Sequence, residues 1–371
     1  MTSKSIGLYV HIPFCLRKCN YCDFCSFACD AQTRGKYVDA LISDIESYCG
    51  RGISIDTIFF GGGTPSLLSP DEFSRIYEAI AKSFEISKEL EFTLEANPAT
   101  VDKEKLMSYK SAGVNRISLG LQSIHENELK MLGRIHSYDD FLATYSLCRA
   151  VGFDNINVDL MYAFPDQTVE SLGETLGTVT ALSPEHISLY GLILEEGTPL
   201  YERRESLVFP SEETELSMYR LATETLSRAG YSHYEISNYA RAGCESRHNL
   251  KYWRDMEYIG VGLSAYSYFN GVRYGKTGDM ALYLKDPSAN AYTERINESE
   301  QKKEYIMLSL RLSEGLSFAD YRARFSEDFL SGREKQISEY ERLGLLSRTE
   351  GGIALTERGF YLSNTIISSL M

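Results

Sequence analysis

Short apolar runs alternate with amphipathic stretches through the first two hundred residues. "IGLYVHIP" (6–13) is rich in β-favouring apolar residues and reads as a strand. "RGKYVDALISDIESYC" (34–49) places Tyr37, Val38, Leu41, Ile42 and Ile45 at helical spacing. A second strand, "IDTIFFGG" (55–62), precedes a helix "DEFSRIYEAIAKSF" (71–84), entered through Ser69 as cap and Pro70 in the first turn. The alternation continues. Strand "LEFTLEAN" (90–97) is followed by helix "KEKLMSYKSA" (103–112), and "RISLGLQ" (116–122) by helical segments to about Ala150. "NINVDLMY" (155–162) is followed by "VESLGETLGTVTAL" (169–182), and "HISLYGLIL" (186–194) makes a sixth strand.

Such strand–helix units predict a parallel sheet with right-handed crossovers. The near-continuous apolar strands suit burial on both faces. A doubly wound sheet and a barrel or partial barrel both accommodate this order. The polar residues favour the barrel, because nearly every strand ends in a polar or glycine-rich group: the cysteine loop after Pro13, "GGGTPS", "EANP", "LQS", "DLMY" and "LYGL". Barrel sites gather at the C-terminal ends of several strands, whereas a doubly wound sheet uses one or two crossovers. The expected class is therefore α/β, a partial (β/α)6 barrel over residues 1–205.

After about residue 200 the rhythm changes. A helix, "EETELSMYRLATETLSRAG", leads into a strand-like "YSHYEISNYA" and a stretch rich in Gly and Tyr, read here as a barrel-completing segment over 206–297. From 298 to 371 three helices precede a small β-like turn, "LLSRTEGGIAL", and a last helix capped at Thr356. This α+β extension has the outline of a winged helix. Residues 331–371 hold five Lys/Arg against five Glu, without the basic excess of a DNA reader, so a packing or docking role is expected.

Composition narrows the partners. The 371 residues carry a net charge of −14, spread along the chain, which argues against nucleic acid as a partner. Nowhere do eighteen apolar residues run together, so no transmembrane segment is expected. The opening "MTSKSIGLYVHIPF" has too short an apolar run for an export signal, which points to the cytoplasm.

Five of the eight cysteines fall within residues 15–29. A disulfide framework would spread its cysteines along a small secreted chain. Zinc sites usually pair two separated C-x2-C or Cys/His elements; here Cys25 would be the candidate fourth ligand. Cys15, Cys19 and Cys22, spaced C-x3-C-x2-C in one loop, also suit an iron–sulfur cluster, and three thiolates on a four-iron cubane leave one iron open to a ligand.

That spacing, with "YVHIPFC", "FFGGGTPSLL", "LEANP", "RISLGLQS", "VDLMYAFPDQT" and "ALTERGFYLSN", closely resembles the radical S-adenosylmethionine (SAM) superfamily. The branch it resembles contains oxygen-independent coproporphyrinogen III dehydrogenase and the HemW-type heme chaperones. The resemblance covers essentially the whole chain. It implies a [4Fe–4S] cluster on Cys15, Cys19 and Cys22, with SAM chelated at the open iron. It implies that Tyr9 and Phe24 pack near the cofactor and that Gly62, Gly63 and Thr64 meet the SAM amino group. Glu95, Gln122, Arg134 and Asp159 match the remaining polar contacts to SAM; a guanidinium forks onto a carboxylate, and the acids and amide accept from an amine or ribose hydroxyls.

Two branches remain to be separated. The dehydrogenase branch carries C-x3-C-x2-C-x-C, whereas this chain has Phe24 two residues after Cys22 and a cysteine one further on, at Cys25. Cys25 and Cys29 read as small loop residues or as auxiliary thiols. "HNLKYW" (248–253) matches the chaperone branch's H-N-x-x-Y-W. The resemblance thus implies heme as a third cofactor and cargo, heme-accepting apoproteins as partners, and His248 as a heme contact, with Tyr252 and Trp253 offering flat apolar surface. Relatives often carry histidine where this chain has Tyr266. His11 reads as a buried, hydrogen-bonded residue, and His125 and His136 as supports for the fourth strand's end. The expected function is heme binding and transfer; the alternative is radical oxidative decarboxylation of porphyrinogen propionates. The chain leaves room for a homodimer and for peripheral membrane contact.

Overall fold

The structure, a computed structural model, describes residues 5–371. Six parallel strands form its centre: β1 (Ile6–Ile12), β2 (Ser54–Gly62), β3 (Glu85–Ala96), β4 (Arg116–Gln122), β5 (Ile156–Tyr162) and β6 (His186–Gly191). They pair in chain order, each with its successor. The predicted strands and crossover helices all form. The helix Pro70–Ser83 opens on the expected cap: Ser69 Oγ accepts from the Glu72 N–H, and the Ser69 N–H donates back to Glu72.

The strands carry two different faces. Leu8, Val10, Ile58, Phe60, Phe92, Leu94, Ile117 and Leu119 are fully buried and share one core with the helix residues Leu41, Ile45, Phe73 and Ile76. Alternate residues build a polar interior. Asn157 Nδ2 donates to Ser118 Oγ at 2.8 Å, and His186 Nδ1 lies 2.6 Å from Asn157 Oδ1. The strands thus alternate, where their sequences suggested near-continuous apolar runs. A curved sheet closes part of its inner face against itself, and buried polar groups there persist because they are paired.

Downstream of β6 the chain returns to both edges of the sheet. The stretch read as one strand is a hairpin, β7 (Ser232–Glu235) and β8 (Asn238–Ala240), turning at Ile236–Ser237. β8 pairs antiparallel with β6. β9 (Tyr258–Val261) runs parallel to β1 on the opposite edge, and β10 (Tyr266–Phe269), β11 (Val272–Gly275) and β12 (Tyr292–Arg295) extend it antiparallel. In the order β12-β11-β10-β9-β1-β2-β3-β4-β5-β6-β8-β7 the segment 206–297 adds strands at both edges of the parallel sheet, and no pairing joins the two outer strands among the described residues. Past it, helices Glu298–Ser309, Phe318–Phe325 and Glu334–Arg342 and a three-stranded sheet, β13 (Leu316–Ser317), β14 (Leu346–Thr349) and β15 (Gly352–Leu355), make the small C-terminal unit. Among the described residues no helix is long and apolar enough to cross a membrane.

Candidate cluster and cofactor site

The cysteine loop leaves β1 at Pro13 and reaches the helix Ala31–Glu46. Its base is closed by backbone bonds: the Cys15 N–H donates to Phe27 O and the Phe27 N–H to Pro13 O. Its far side is anchored by Asn20, whose backbone N–H donates to Leu132 O and whose side chain donates to Met131 O at 2.8 Å. Gly63 sits under the loop. A Cβ there would lie 2.7–2.8 Å from backbone atoms of Ile12 and Phe14, so only glycine lets the end of β2 approach the residue before Cys15.

All three cysteines are free and partly exposed. Cys15 Sγ accepts from Thr64 Oγ1 at 3.5 Å, and Cys19 Sγ accepts from Arg134 Nη1 at 3.4 Å. Burial pushes the Cys22 thiol up, the Phe24 N–H pulls it down, and Cys19 and Cys15 push it up again. Among the described residues no three His, Cys, Asp or Glu side chains converge as they would around a single metal ion. Thiolates that each meet a different corner of a cubane need no such convergence. Reduced thiols on one loop, with a guanidinium against one of them, suit an anionic iron–sulfur cluster.

The strand ends beside the loop hold the polar residues expected to meet SAM. Arg134 Nη2 donates to Asn97 Oδ1 and to Gly120 O, both at 2.6 Å, and Asn97 Nδ2 donates to Thr64 Oγ1 at 2.8 Å. Asn97 therefore ties Arg134 to the "GGGT" turn. The motif "LEANP" contains Asn97, to which the sequence assigned no role, although it lies two positions after Glu95, just past the end of β3. Glu95 accepts from the Gly62 N–H, and burial, reinforced by the Asp159 charge, pushes its carboxyl up to about 8. Asp159 accepts from Ser118 Oγ at 2.9 Å and Asn157 Nδ2 at 2.8 Å; burial pushes it up as well. Gln122, in left-handed backbone at φ +74°, is 93% buried, with no partner for its Oε1. An orphaned acceptor at a strand end fits a ligand that donates to it.

A second recess opens on the other side of the cysteine loop. It encloses about 280 Å³ and is lined by Tyr9, His11, Phe24, Cys25, Tyr252, Tyr258, Ser264, Ala265 and Tyr266. Tyr9 and Phe24 belong to this recess and not to the Arg134 side. The "HNLKYW" motif forms the helix Arg247–Trp253, which supplies Tyr252 to its wall.

His248 departs from the expectation placed on it. Its side chain is buried, Nδ1 is 2.9 Å from Thr57 Oγ1, and Nε2 is 2.8 Å from Tyr252 Oη. Its backbone N–H donates to Glu91. With both ring nitrogens engaged, the imidazole pins the motif to β2 and aims Tyr252, and the backbone N–H ties it to β3. Burial, with Lys251 and Arg116 nearby, lowers it to about 3, so it is neutral. Trp253 faces the Arg311 guanidinium, 5.7 Å from its ring, next to the C-terminal unit and away from the recess. His11 is buried between Tyr9 Oη and Cys25 O, and His136 Nε2 lies 3.2 Å from Leu121 O at the end of β4. His125 Nε2 is 3.2 Å from Ser171 O.

Comparison with known proteins agrees with this layout. Residues 9–179 match the radical SAM superfamily, and residues 296–362 match the HemN C-terminal domain. Over 378 residues the chain is 35% identical to a Lactococcus lactis protein named heme chaperone HemW, covering all of this chain and 98% of the relative. A protein of the same name from Escherichia coli is 33% identical over 372 residues, covering 98% and 97%. Among solved structures, the Escherichia coli coproporphyrinogen III oxidase HemN, described as a radical SAM enzyme, superposes with a TM-score of 0.86. It covers 99% of this chain and 90% of its own at 22% identity, a likeness of fold.

Proposed function

The chain belongs to the HemW heme-chaperone family of the radical SAM superfamily, and on that premise we propose that it binds heme and passes it to acceptor proteins that require heme. The observation that carries this reading is the 35% identity to a relative named heme chaperone along the full length of both chains. Family membership implies a [4Fe–4S] cluster and SAM. In our assignment Cys15, Cys19 and Cys22 would hold the cluster, which when bound would supply one-electron chemistry to SAM. Arg134, fixed by Asn97 and Gly120, balances the negative charge of the thiolates and orients the ligand's carboxylate. The Gly62–Thr64 turn and Glu95 meet its amine. Gln122 and Asp159 accept from its hydroxyls. We place this activity in the cytoplasm, and we assign the unit from residue 298 onward to packing or acceptor docking.

The competing activity, decarboxylation of coproporphyrinogen, is tested directly against heme binding. After anaerobic reconstitution, hemin titration followed by visible absorption should saturate stoichiometrically. Coproporphyrinogen III should be consumed no faster than by protein lacking the cluster. Turnover without heme saturation would overturn the chaperone reading.

A further inference from the structure

We infer that the heme macrocycle enters the aromatic recess between the cysteine loop and the β9–β10 edge, where the Tyr266 phenol ligates its iron. This rests on the heme reading above and assigns that cargo a site.

The recess differs in kind from the Arg134 side of the mouth. No Asp, Glu, Lys or Arg lines its roughly 280 Å³, while five aromatic rings do: Tyr9, Phe24, Tyr252, Tyr258 and Tyr266. Phe24 and Tyr266 are 62% and 51% exposed, an unusual placement for large rings with no partner to cover them. Concave aromatic walls suit a planar, apolar ligand, and the absence of charge disfavours a phosphorylated one. A tetrapyrrole is larger than the recess, so it enters by its apolar edge and leaves its propionates outside. Lys18 stands at that rim, its ammonium held by the Phe24 carbonyl at 2.9 Å.

The choice of ligand follows from which donors are free. Both nitrogens of His11 are engaged, by Tyr9 Oη and Cys25 O, as are both nitrogens of His248. The Tyr9 and Tyr252 hydroxyls are the partners in those bonds. Cys25 Sγ is turned toward Gly278 O, 4.0 Å away. Tyr258 is only partly exposed, its ring edge-on to Tyr252 at 4.6 Å. Tyr266 has no hydrogen-bond partner for its hydroxyl among the described residues and stands at the opening. Its ring lies on Gly275, the cross-strand partner, where an added Cβ would come within 2.8–2.9 Å of ring carbons. The sheet has left space for this ring. Tyrosinate is an established axial ligand of ferric heme. On ligation the phenol proton passes to solvent, the Fe–O bond forms, and the oxidation state of the iron is unchanged.

The test is ferric-heme titration of the full-length reconstituted protein, read by visible absorption and electron paramagnetic resonance, with cluster content and SAM binding as controls for folding. Tyr266→Phe should remove the phenolate-to-iron charge-transfer band and weaken heme by about tenfold or more, while both controls hold. Ala265→Trp, which fills the recess and keeps the phenol, should also weaken heme. An unaltered spectrum and affinity in Tyr266→Phe overturns the ligand assignment, and unaltered affinity in Ala265→Trp overturns the site. A wild-type protein that binds no heme overturns the family-based function and this site with it, whereas the two variant outcomes above overturn the site alone.

Discussion

Two recesses draw part of their walls from the same cysteine loop. On one side Cys19, Thr64, Asn97 and Arg134 line a space of only about 30 Å³, crowded with charge and hydrogen bonds. On the other, Cys25 and five aromatic rings line a space roughly nine times larger and free of ionised side chains. The small recess is pre-built: its polar groups hold one another in place before any ligand arrives, as a site for a compact charged cofactor must. The large one is held from behind. Tyr9 and Tyr252 are fixed by buried histidines, while Phe24 and Tyr266 stand at its edge. Cysteines six positions apart thus line recesses of different chemical character, and on the proposed reading one loop serves two kinds of recognition.

The strongest break between the two sides comes from the loop itself. Cys15→Ser, Cys19→Ser and Cys22→Ser should each abolish the brown chromophore after anaerobic reconstitution, whereas Cys25→Ser should retain its iron and sulfide. Equal loss in Cys25→Ser would show that the aromatic side also feeds the cluster.

Next in size is Arg134→Met. Charge-assisted hydrogen bonds contribute about 1.5–3 kcal/mol, so SAM affinity should fall roughly 10- to 100-fold while heme affinity stays within error. Calorimetric titration of both ligands decides it; parallel losses would merge the two recesses into one site.

The aromatic side has its own support. Lys276 pairs with Asp44 at 2.8 Å in the interior, and Asp44 also accepts from the Gly262 N–H and the Tyr283 hydroxyl, tying the first helix to the β9–β11 edge. Lys276→Met leaves a buried carboxylate without its counter-charge and should cost about 3–5 kcal/mol in denaturant unfolding. Hydrogen exchange should rise first in β9–β11 and only later in β3–β5. Uniform loosening would deny the two sides separate supports.

The last comparison concerns pH. His248 is lowered to about 3 and His136 to about 4, in each case first by burial, against about 6.5 in an unfolded chain. Between those values the unfolded chain binds protons that the fold excludes. Stability is therefore full above pH 6.5 and declines as the pH falls toward 3. His248→Gln should flatten that decline and leave the heme absorption bands in place. A wild-type slope in the variant, or a shifted spectrum, would return His248 to the ligand role.

The strand–helix rhythm was legible because each element carries its own period and caps; Ser69-Pro70 and Thr356 mark helix starts without reference to the rest of the fold. The three-cysteine loop was legible for a similar reason, since Cys15, Cys19 and Cys22 lie within eight residues. The hairpin at 232–240 was not, because its turn residues Ile236 and Ser237 carry no Gly, Asn or Pro signal. Nor was the polar interior: Thr57, Arg116, Asn157 and His186 sit in runs whose apolar neighbours dominate the pattern.

His248 marks the boundary. The amino-acid sequence by itself determined which residue types are present and which lie close along the chain, enough for the parallel strands, the three-cysteine loop and the family. Only the tertiary structure decided which groups have their valences filled. Thr57 and Tyr252 take both nitrogens of the motif's histidine, while Tyr266, which stands where relatives often carry histidine, is left among the described residues with a free hydroxyl beside an aromatic recess. Hydrogen-bond satisfaction depends on partners from distant strands, 191 residues away in the case of Thr57, and no local pattern encodes it.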